Sequence, residues 1–391
     1  MNILENKLKN NEYIIQTINM PAGGGKTTRV KELCFKFPGK KILYTSFTIS
    51  VIKDFKNGSR KLSHVTPQSI DSIFYQMYKL ALKKNPIILR DFENNKSSQF
   101  KSNSIRKNIH NESKSIRKFY ESSRIRTNIE LLCNHKMVEK DIEYIETKNM
   151  YDDMVKENIF TYTMLRYFCF ENKLYIQYFK YKKNNYDIIF VDEAQDCKEI
   201  FVYMILKTNI SVIFVGDKNQ DIFDFQNTFN VFKSVLKIKN INTNITWRYG
   251  KSICKFIYKH IYNRKIESKC NYNTQILYDK TIPENEKYTH LFNTNENIIR
   301  EAIRLLKNNN NIYIHGYKKH EKKWTNLTNF IKTSHIHIHK DRYMKKKNRI
   351  HLSTVHTFKG READIIKVNE DIKCSRKNLF YVAVTRVRKK L

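Results

Sequence analysis

The stretch Pro21-Ala22-Gly23-Gly24-Gly25-Lys26-Thr27-Thr28 constrains the fold of this chain more than any other. Residues 13–19 before it alternate and are rich in Ile, which predicts a strand. Residues 27–37 after it predict a helix, stopped by Pro38-Gly39. A strand turning through three glycines into a helix lets backbone N–H groups and the positive end of the helix converge on phosphate. In that setting Ala22, Gly23, Gly24 and Gly25 form the cradle, Lys26 neutralises the β- and γ-phosphates, the Thr27 hydroxyl is offered to Mg²⁺, and Thr28 joins the nucleotide-binding set. Position 20 is Met where this pattern usually opens on glycine, so the flanking strand and helix carry the reading.

A second short stretch, Asp192-Glu193-Ala194-Gln195-Asp196, supplies the complementary groups. It follows the continuous apolar run 188–191, and a similar run at 212–215 leads to Gly216-Asp217. Such runs are the pattern of buried parallel strands, which present functional groups at their carboxyl ends. With a further strand predicted at 41–45, strands alternate with helical stretches, and the fold class is α/β. Asp192 is expected to hold Mg²⁺ through water, and Glu193 to accept a proton from an attacking water. Hydrolysis of a nucleoside triphosphate is the expected chemistry.

Length and charge bound the rest. The chain has 391 residues, enough for a sizeable core and two or three domains. Lys and Arg number 73 against 38 Asp and Glu, a net charge of +35, and such a field attracts polyanions. An AT-rich genome would account for the Lys and Asn but not for so few carboxylates. The 24 Tyr and 24 Phe add many stacking surfaces. Seven scattered cysteines without a Cys-x-x-Cys pair read as free thiols in a reducing compartment, not as a zinc module. No apolar run reaches membrane-spanning length and residues 1–5 have no signal-peptide core, so a soluble intracellular protein is expected.

The predicted organisation is a first core of residues 1–85 and 181–240, with a mainly helical, basic insertion at 86–180 whose segment 101–126 is rich in Ser, Asn, Lys and Arg. A second α/β block fills 241–391, with a helix at 297–306 and strands at 312–315, 350–354 and 379–384.

Further motifs then make a family resemblance specific. Asp192-Glu193-Ala194-Gln195-Asp196 resembles motif II of the UvrD/Rep family of superfamily-one helicases. Tyr44-Thr45-Ser46-Phe47-Thr48 is similar to motif Ia, and Gly216-Asp217-Lys218-Asn219-Gln220 with Asp221-Ile222-Phe223-Asp224-Phe225 to motif III. Thr246-Trp247-Arg248 resembles motif IV, residues 354–362 resemble motif V, and Leu379-Phe380-Tyr381-Val382-Ala383-Val384-Thr385-Arg386 resembles motif VI. Singly these are weak; in order along both cores they are specific.

The resemblance implies two RecA-like parallel-sheet cores of P-loop type, closing on ATP and Mg²⁺. By position, Gln220 would sense the γ-phosphate and the attacking water, and Arg248 and Arg386 would be arginine fingers. Trp247 would stack on adenine, Glu362 would meet the ribose, and Gly360 joins the nucleotide set. Phe47, Phe223 and Phe225 would stack on bases, with Thr354 and His356 beside them. Gln68 and Gln226 replace the usual His and Arg, and Gln16 lies inside a strand where no adenine-reading glutamine is expected. The family's large insertion in the second core is reduced to a short piece near 335–347, where His335, His337 and His339 read as an alternating strand and not a metal site.

The implied function is an ATP-dependent helicase acting on single-stranded DNA and single/double-strand junctions, with RNA left open. Lys359-Gly360 and the second Asp of motif II resemble the branch that moves 3′→5′. Two other readings stand beside it: a nucleic-acid-stimulated ATPase that remodels complexes with little unwinding, and a non-enzymatic nucleic-acid-binding protein with a relic nucleotide site.

Overall fold

The structure is a computed structural model and describes residues 2–10, 12–58, 62–89, 119, 122–134, 143–181, 185–234, 236, 238–277, 286–308, 310–315 and 350–391. In chain order its first strands are β1 (Ile15–Asn19), β2 (Ile42–Ser46), β3 (Val65–Ser69), β4 (Ile87–Ile88), β5 (Ile159–Phe160), β6 (Ile188–Asp192), β7 (Ser211–Gly216) and β8 (Lys239–Asn242). Six of them form one sheet in the order β3-β2-β6-β7-β1-β8. The β2–β3, β2–β6 and β6–β7 pairs are parallel, as crossover connections require. All residues of β2, β6 and β7 are buried, which explains why their sequences are nearly unbroken apolar runs.

Around this sheet lies a core in which the expected helical insertion takes part. Helix Ile70–Leu82 is capped by Ser69, whose hydroxyl accepts from the Ser72 N–H. It buries Ile70, Ile73, Phe74, Met77 and Tyr78, the stripe that 3.6-residue periodicity produces. Helices Ser123–Cys133, Tyr144–Lys156, Tyr162–Glu171 and Leu174–Lys180 follow, and β4, which precedes them, pairs parallel with β5, which lies between the second and third. Of the basic segment expected at 101–126, residues 101–118 lie outside the described residues, while Arg124 forms ion pairs with Glu143 and Glu146.

The later strands are β9 (Ile245–Thr246), β10 (Glu267–Ser268), β11 (Thr289–Phe292), β12 (Ile312–Ile314), β13 (Ile350–Thr354), β14 (Ala363–Val368) and β15 (Val387–Lys390). β9 and β10 pair with each other, and the other five form a second, wholly parallel sheet in the order β12-β13-β11-β14-β15. Helix Asn295–Lys307, capped by Thr294, buries Ile298, Ala302, Leu305 and Leu306. Residues 379–384, expected as a strand, instead form helix Lys377–Val384. The cause is an environment that periodicity cannot report: Leu379, Tyr381, Val382, Ala383 and Val384 are all buried, so the helix shows no polar face and its sequence is a plain apolar run. The short insertion expected near 335–347, with its three histidines, lies outside the described residues.

By internal contacts the chain divides into two compact units, one drawn from Met1–Thr17, Thr27–Val215 and Phe225–Asn240, the other from Ile18–Lys26, Gly216–Asp224 and Ile241–Leu391. Among the described residues, no helix is long and apolar enough to cross a membrane.

Candidate functional site

Three segments singled out in the sequence leave the carboxyl ends of β1, β6 and β7, the edge at which parallel sheets collect ligand-binding groups. The glycine turn after β1 is not a generic loop. Gly23 has φ +72° and Gly25 φ +79°, the left-handed region that glycine enters without steric cost. A Cβ on Gly23 would lie 2.3 Å from Cβ of Arg248 and 2.9 Å from Oγ1 of Thr246. The turn is therefore packed against the segment that carries Trp247 and Arg248. The Thr246 hydroxyl donates to the Ala22 carbonyl at 2.9 Å, and the Trp247 N–H donates to the Gly23 carbonyl at 2.9 Å. Trp247 is 61% exposed, which leaves it open to a planar ligand. Lys26 opens helix Lys26–Lys36 and has no ion-pair partner among the described residues.

In the other unit, Thr27 and Asp192 meet. The Thr27 hydroxyl donates to Oδ2 of Asp192 at 3.0 Å, and the Tyr44 hydroxyl donates to the same oxygen at 2.6 Å. Tyr44 is buried and stacked on Phe55 with ring centroids 3.6 Å apart, which aims its phenol at the carboxylate. Burial, and then the charge of Asp192, push the Tyr44 phenol well above the usual tyrosine range, so it remains a donor. Oδ1 of Asp192 accepts from the Glu193 N–H at 2.9 Å. Glu193 has φ +53°, a left-handed conformation that a residue with a side chain adopts only at a cost, and such residues cluster at functional sites. Its carboxylate accepts from Gln195 Nε2 at 2.5 Å.

Thr27 and Asp192 fit a magnesium ion: they are hard oxygen donors 3.0 Å apart. Magnesium characteristically takes one or two protein oxygens and fills its octahedron with phosphates and water.

The remaining nucleotide candidates form two linked pairs within the second unit. Arg248 Nε donates to Oε1 of Glu362 at 2.7 Å. Arg386, whose side chain is buried, donates from Nη2 to Oε1 of Gln220 at 3.0 Å and from Nε to the Val382 carbonyl at 3.0 Å. Gln220 Nε2 in turn donates to Oδ2 of Asp217 at 3.1 Å. Gly360, at φ +86°, lies in the left-handed region.

The nucleic-acid candidates are held differently. Phe47 is half-buried, with the Arg166 guanidinium 5.5 Å and the Lys198 ammonium 5.3 Å from its ring centre. Arg166 also forms a buried ion pair with Asp71 at 2.8 Å. Phe223 carries the Lys359 ammonium 4.7 Å over its ring and lies 5.9 Å from the His356 ring. His356 Nε2 meets the Ile222 carbonyl at 3.2 Å, so that nitrogen bears the proton. Burial holds its pKa below the usual imidazole range despite that bond, and a neutral ring results. Thr354 spends its hydroxyl as a helix cap, accepting from the Thr357 N–H at 3.2 Å. Phe225 falls in the helical turn Asp224–Gln226, and its side chain lies outside the described residues.

Several groups with no role in this site assigned from sequence complete these networks. Tyr381 donates to Oδ2 of Asp217 at 2.8 Å and accepts from the Ala22 N–H at 3.3 Å. Arg264 donates to Oδ1 of Asp217 at 3.1 Å, and Lys359 to the Gln220 carbonyl at 2.7 Å. Tyr381 and Lys359 stand inside quoted motifs and were findable there; nothing local marks Arg264.

Comparison with known proteins gives a consistent result. The UvrD/REP helicase N-terminal domain family matches residues 43–238, and the viral superfamily 1 RNA helicase core domain family matches residues 171–391. F-box DNA helicase 1 of Gallus gallus is 37% identical over 70 residues, which are 18% of this chain and 7% of that protein. Among solved structures, the PRRSV helicase aligns over 96% of this chain and 51% of its own, at 13% identity and TM-score 0.39. Arterivirus nonstructural protein 10, a helicase solved with DNA, aligns over 96% of this chain and 59% of its own, at 11% identity and TM-score 0.40. The chain thus spans little more than half the length of these solved helicases.

Proposed function

We propose a function from the premise that this chain belongs to the superfamily 1 helicases, in the UvrD/Rep family. The protein hydrolyses ATP and uses the cycle to move 3′→5′ along single-stranded DNA, opening duplex at a single/double-strand junction. Phe47 and Phe223 are its base-stacking rings, and a strongly positive surface supplies the affinity for the backbone. The observation that carries the nucleotide part is the Thr27–Asp192 pair, 3.0 Å apart, directly after a glycine turn whose backbone is left-handed at two positions.

In this reading the turn's N–H groups and Lys26 bind the phosphates. Thr27 and Asp192 hold magnesium, which when bound neutralises charge on the β- and γ-phosphates. Glu193 accepts a proton from water as the water oxygen bonds to the γ-phosphorus, and ADP departs with the electrons of the broken P–O bond. Gln220 orients that water, and Arg248 and Arg386 stabilise the charge that develops on the γ-phosphoryl oxygens. Trp247 stacks on the base and Glu362 accepts from the ribose.

The test compares ATP turnover with single-stranded DNA, with single-stranded RNA and with no polymer. It also measures unwinding of duplexes bearing a single 3′ or 5′ tail. DNA-stimulated turnover, abolished by Lys26→Ala, with opening from the 3′ tail is expected. Stimulation by RNA alone would reassign the polymer, and opening from the 5′ tail would reverse the polarity. Turnover without any unwinding would favour a remodelling ATPase.

A further inference from the structure

Resting on the reading above, we propose that Arg264 is a positioning residue for ATP hydrolysis: it holds the Asp217 carboxylate and thereby fixes the Gln220 amide against Arg386. Arg264 lies outside every motif quoted from the sequence, in the connection between helix Lys251–His260 and β10. A basic residue in such a connection would ordinarily extend into solvent. Here its side chain is only 11% exposed and that of Asp217 is 0% exposed. Nη1 donates to Oδ1 of Asp217 at 3.1 Å, and Nη2 donates to the Thr243 carbonyl at 3.1 Å. With two edges of a rigid planar fork engaged, the group cannot rotate without losing both bonds.

Asp217 is the hub. An ionised carboxylate offers about four lone-pair sites, and donors converge on both of its oxygens. Oδ1 accepts from Arg264 and from the Asn219 N–H at 3.2 Å. Oδ2 accepts from Gln220 Nε2 at 3.1 Å and from the Tyr381 hydroxyl at 2.8 Å. Gln220 then has one amide orientation that satisfies both neighbours. Its NH₂ faces the carboxylate, and its oxygen accepts from Arg386 Nη2 at 3.0 Å. Turned over, the amide would set oxygen against carboxylate and NH₂ against guanidinium.

The charge on Asp217 therefore selects the state of Gln220. A fully buried carboxylate keeps that charge only with a cation and hydrogen bonds around it, and Arg264 is that cation. Tyr381 extends the linkage to the phosphate loop, because its oxygen also accepts from the Ala22 N–H at 3.3 Å. Burial first, and the charge of Asp217 second, keep this phenol protonated. The Ala22 N–H is thereby joined to the Gln220 amide by a chain of hydrogen bonds through Tyr381 and Asp217.

The experiment is steady-state ATP hydrolysis by Arg264→Gln, Arg264→Lys, Gln220→Ala and the Arg264→Gln/Gln220→Ala double variant. Arg264→Gln should lower kcat about 10- to 100-fold, as loss of a supporting residue does, with the KM for ATP little changed. The double variant should be no slower than Gln220→Ala alone, because both changes break one linkage. Arg264→Lys keeps the charge but not the fork and should recover part of the rate. Wild-type kcat in Arg264→Gln, or a loss that adds in full to that of Gln220→Ala, would overturn the inference. If Arg264→Gln does not fold, the Asp217→Asn/Arg264→Gln variant leaves no buried charge unpaired and is compared in the same way with its Gln220→Ala triple variant. A wild-type chain that hydrolyses no ATP would sink the proposed function instead. The linkage is then read from the side-chain amide resonances of Gln220, which should shift in Arg264→Gln; unchanged resonances would overturn it.

Discussion

Arg248 and Glu362, assigned by sequence to opposite ends of a nucleotide, are ion-paired with each other at 2.7 Å. The Arg248 side chain is 16% exposed and that of Glu362 36%, so water reaches the pair chiefly from the Glu362 side and holds its net contribution to about 1 kcal/mol. Exchanging this pairing for contacts to phosphate and ribose therefore costs little. Arg248→Ala should leave the melting temperature nearly unchanged while lowering ATP turnover about 10³-fold, the loss expected of an arginine finger. Parallel thermal melts and turnover assays check this; equal damage to both would make Arg248 a structural residue.

Glu193→Gln keeps the size of the side chain and an oxygen able to accept from Gln195. It cannot take up a proton from water. Fluorescent nucleotide should still bind this variant while turnover disappears, whereas Lys26→Ala should lose both. Retained turnover in Glu193→Gln would move the general base elsewhere.

Phe47 has two cations, Arg166 and Lys198, within cation–π distance of its ring. Phe47→Ala should spare basal ATP turnover and lower its stimulation by single-stranded DNA. Loss of one stacked base corresponds to about 1–3 kcal/mol of binding. DNA affinity of the wild-type protein should also fall steeply as salt rises, given a net charge of +35. Titrations of labelled oligonucleotide at several salt concentrations measure both effects, and an affinity indifferent to salt would contradict the electrostatic part.

Stability should decline on acidification in two steps that involve His290 and Glu301. Burial lowers the His290 pKa below its ordinary 6.5, against the opposing pull of Glu301. The unfolded chain therefore binds the proton more readily, and this contribution is present above pH 6.5 and lost as pH falls below it. For Glu301, burial acts upward, but hydrogen bonds from Arg304 and His290 outweigh it and bring its pKa from 4.5 to about 2. That contribution is present above about pH 4.5 and lost between there and about pH 2. Urea unfolding midpoints from pH 8 to pH 3 test this, with His290→Gln expected to flatten the upper step. A wild-type midpoint constant through pH 6 would contradict the burial argument.

Part of the fold was legible because β2, β6 and β7 are buried throughout. Residues 188–191 and 212–215 spell their burial as continuous apolar runs, and strands form there over Ile188–Asp192 and Ser211–Gly216. The same plainness misled at 379–384, where an enclosed helix also lacks a polar face. Candidate site residues could be named from sequence where the proposed chemistry depends on neighbours in the chain, as with the glycine turn or Asp192 and Glu193. Contacts that join distant segments were not: Arg264 reaches Asp217 across 47 positions, and no local spacing encodes that approach.

Gly23 is fixed from two sides, by its backbone conformation and by the Arg248 Cβ against which it lies. Any larger residue there would wedge the nucleotide turn off the segment that bears Trp247 and Arg248. A defect of that kind could not be repaired by supplying more nucleotide or a stronger anion grip. Only a compensating retreat of residues 246–248 would restore it.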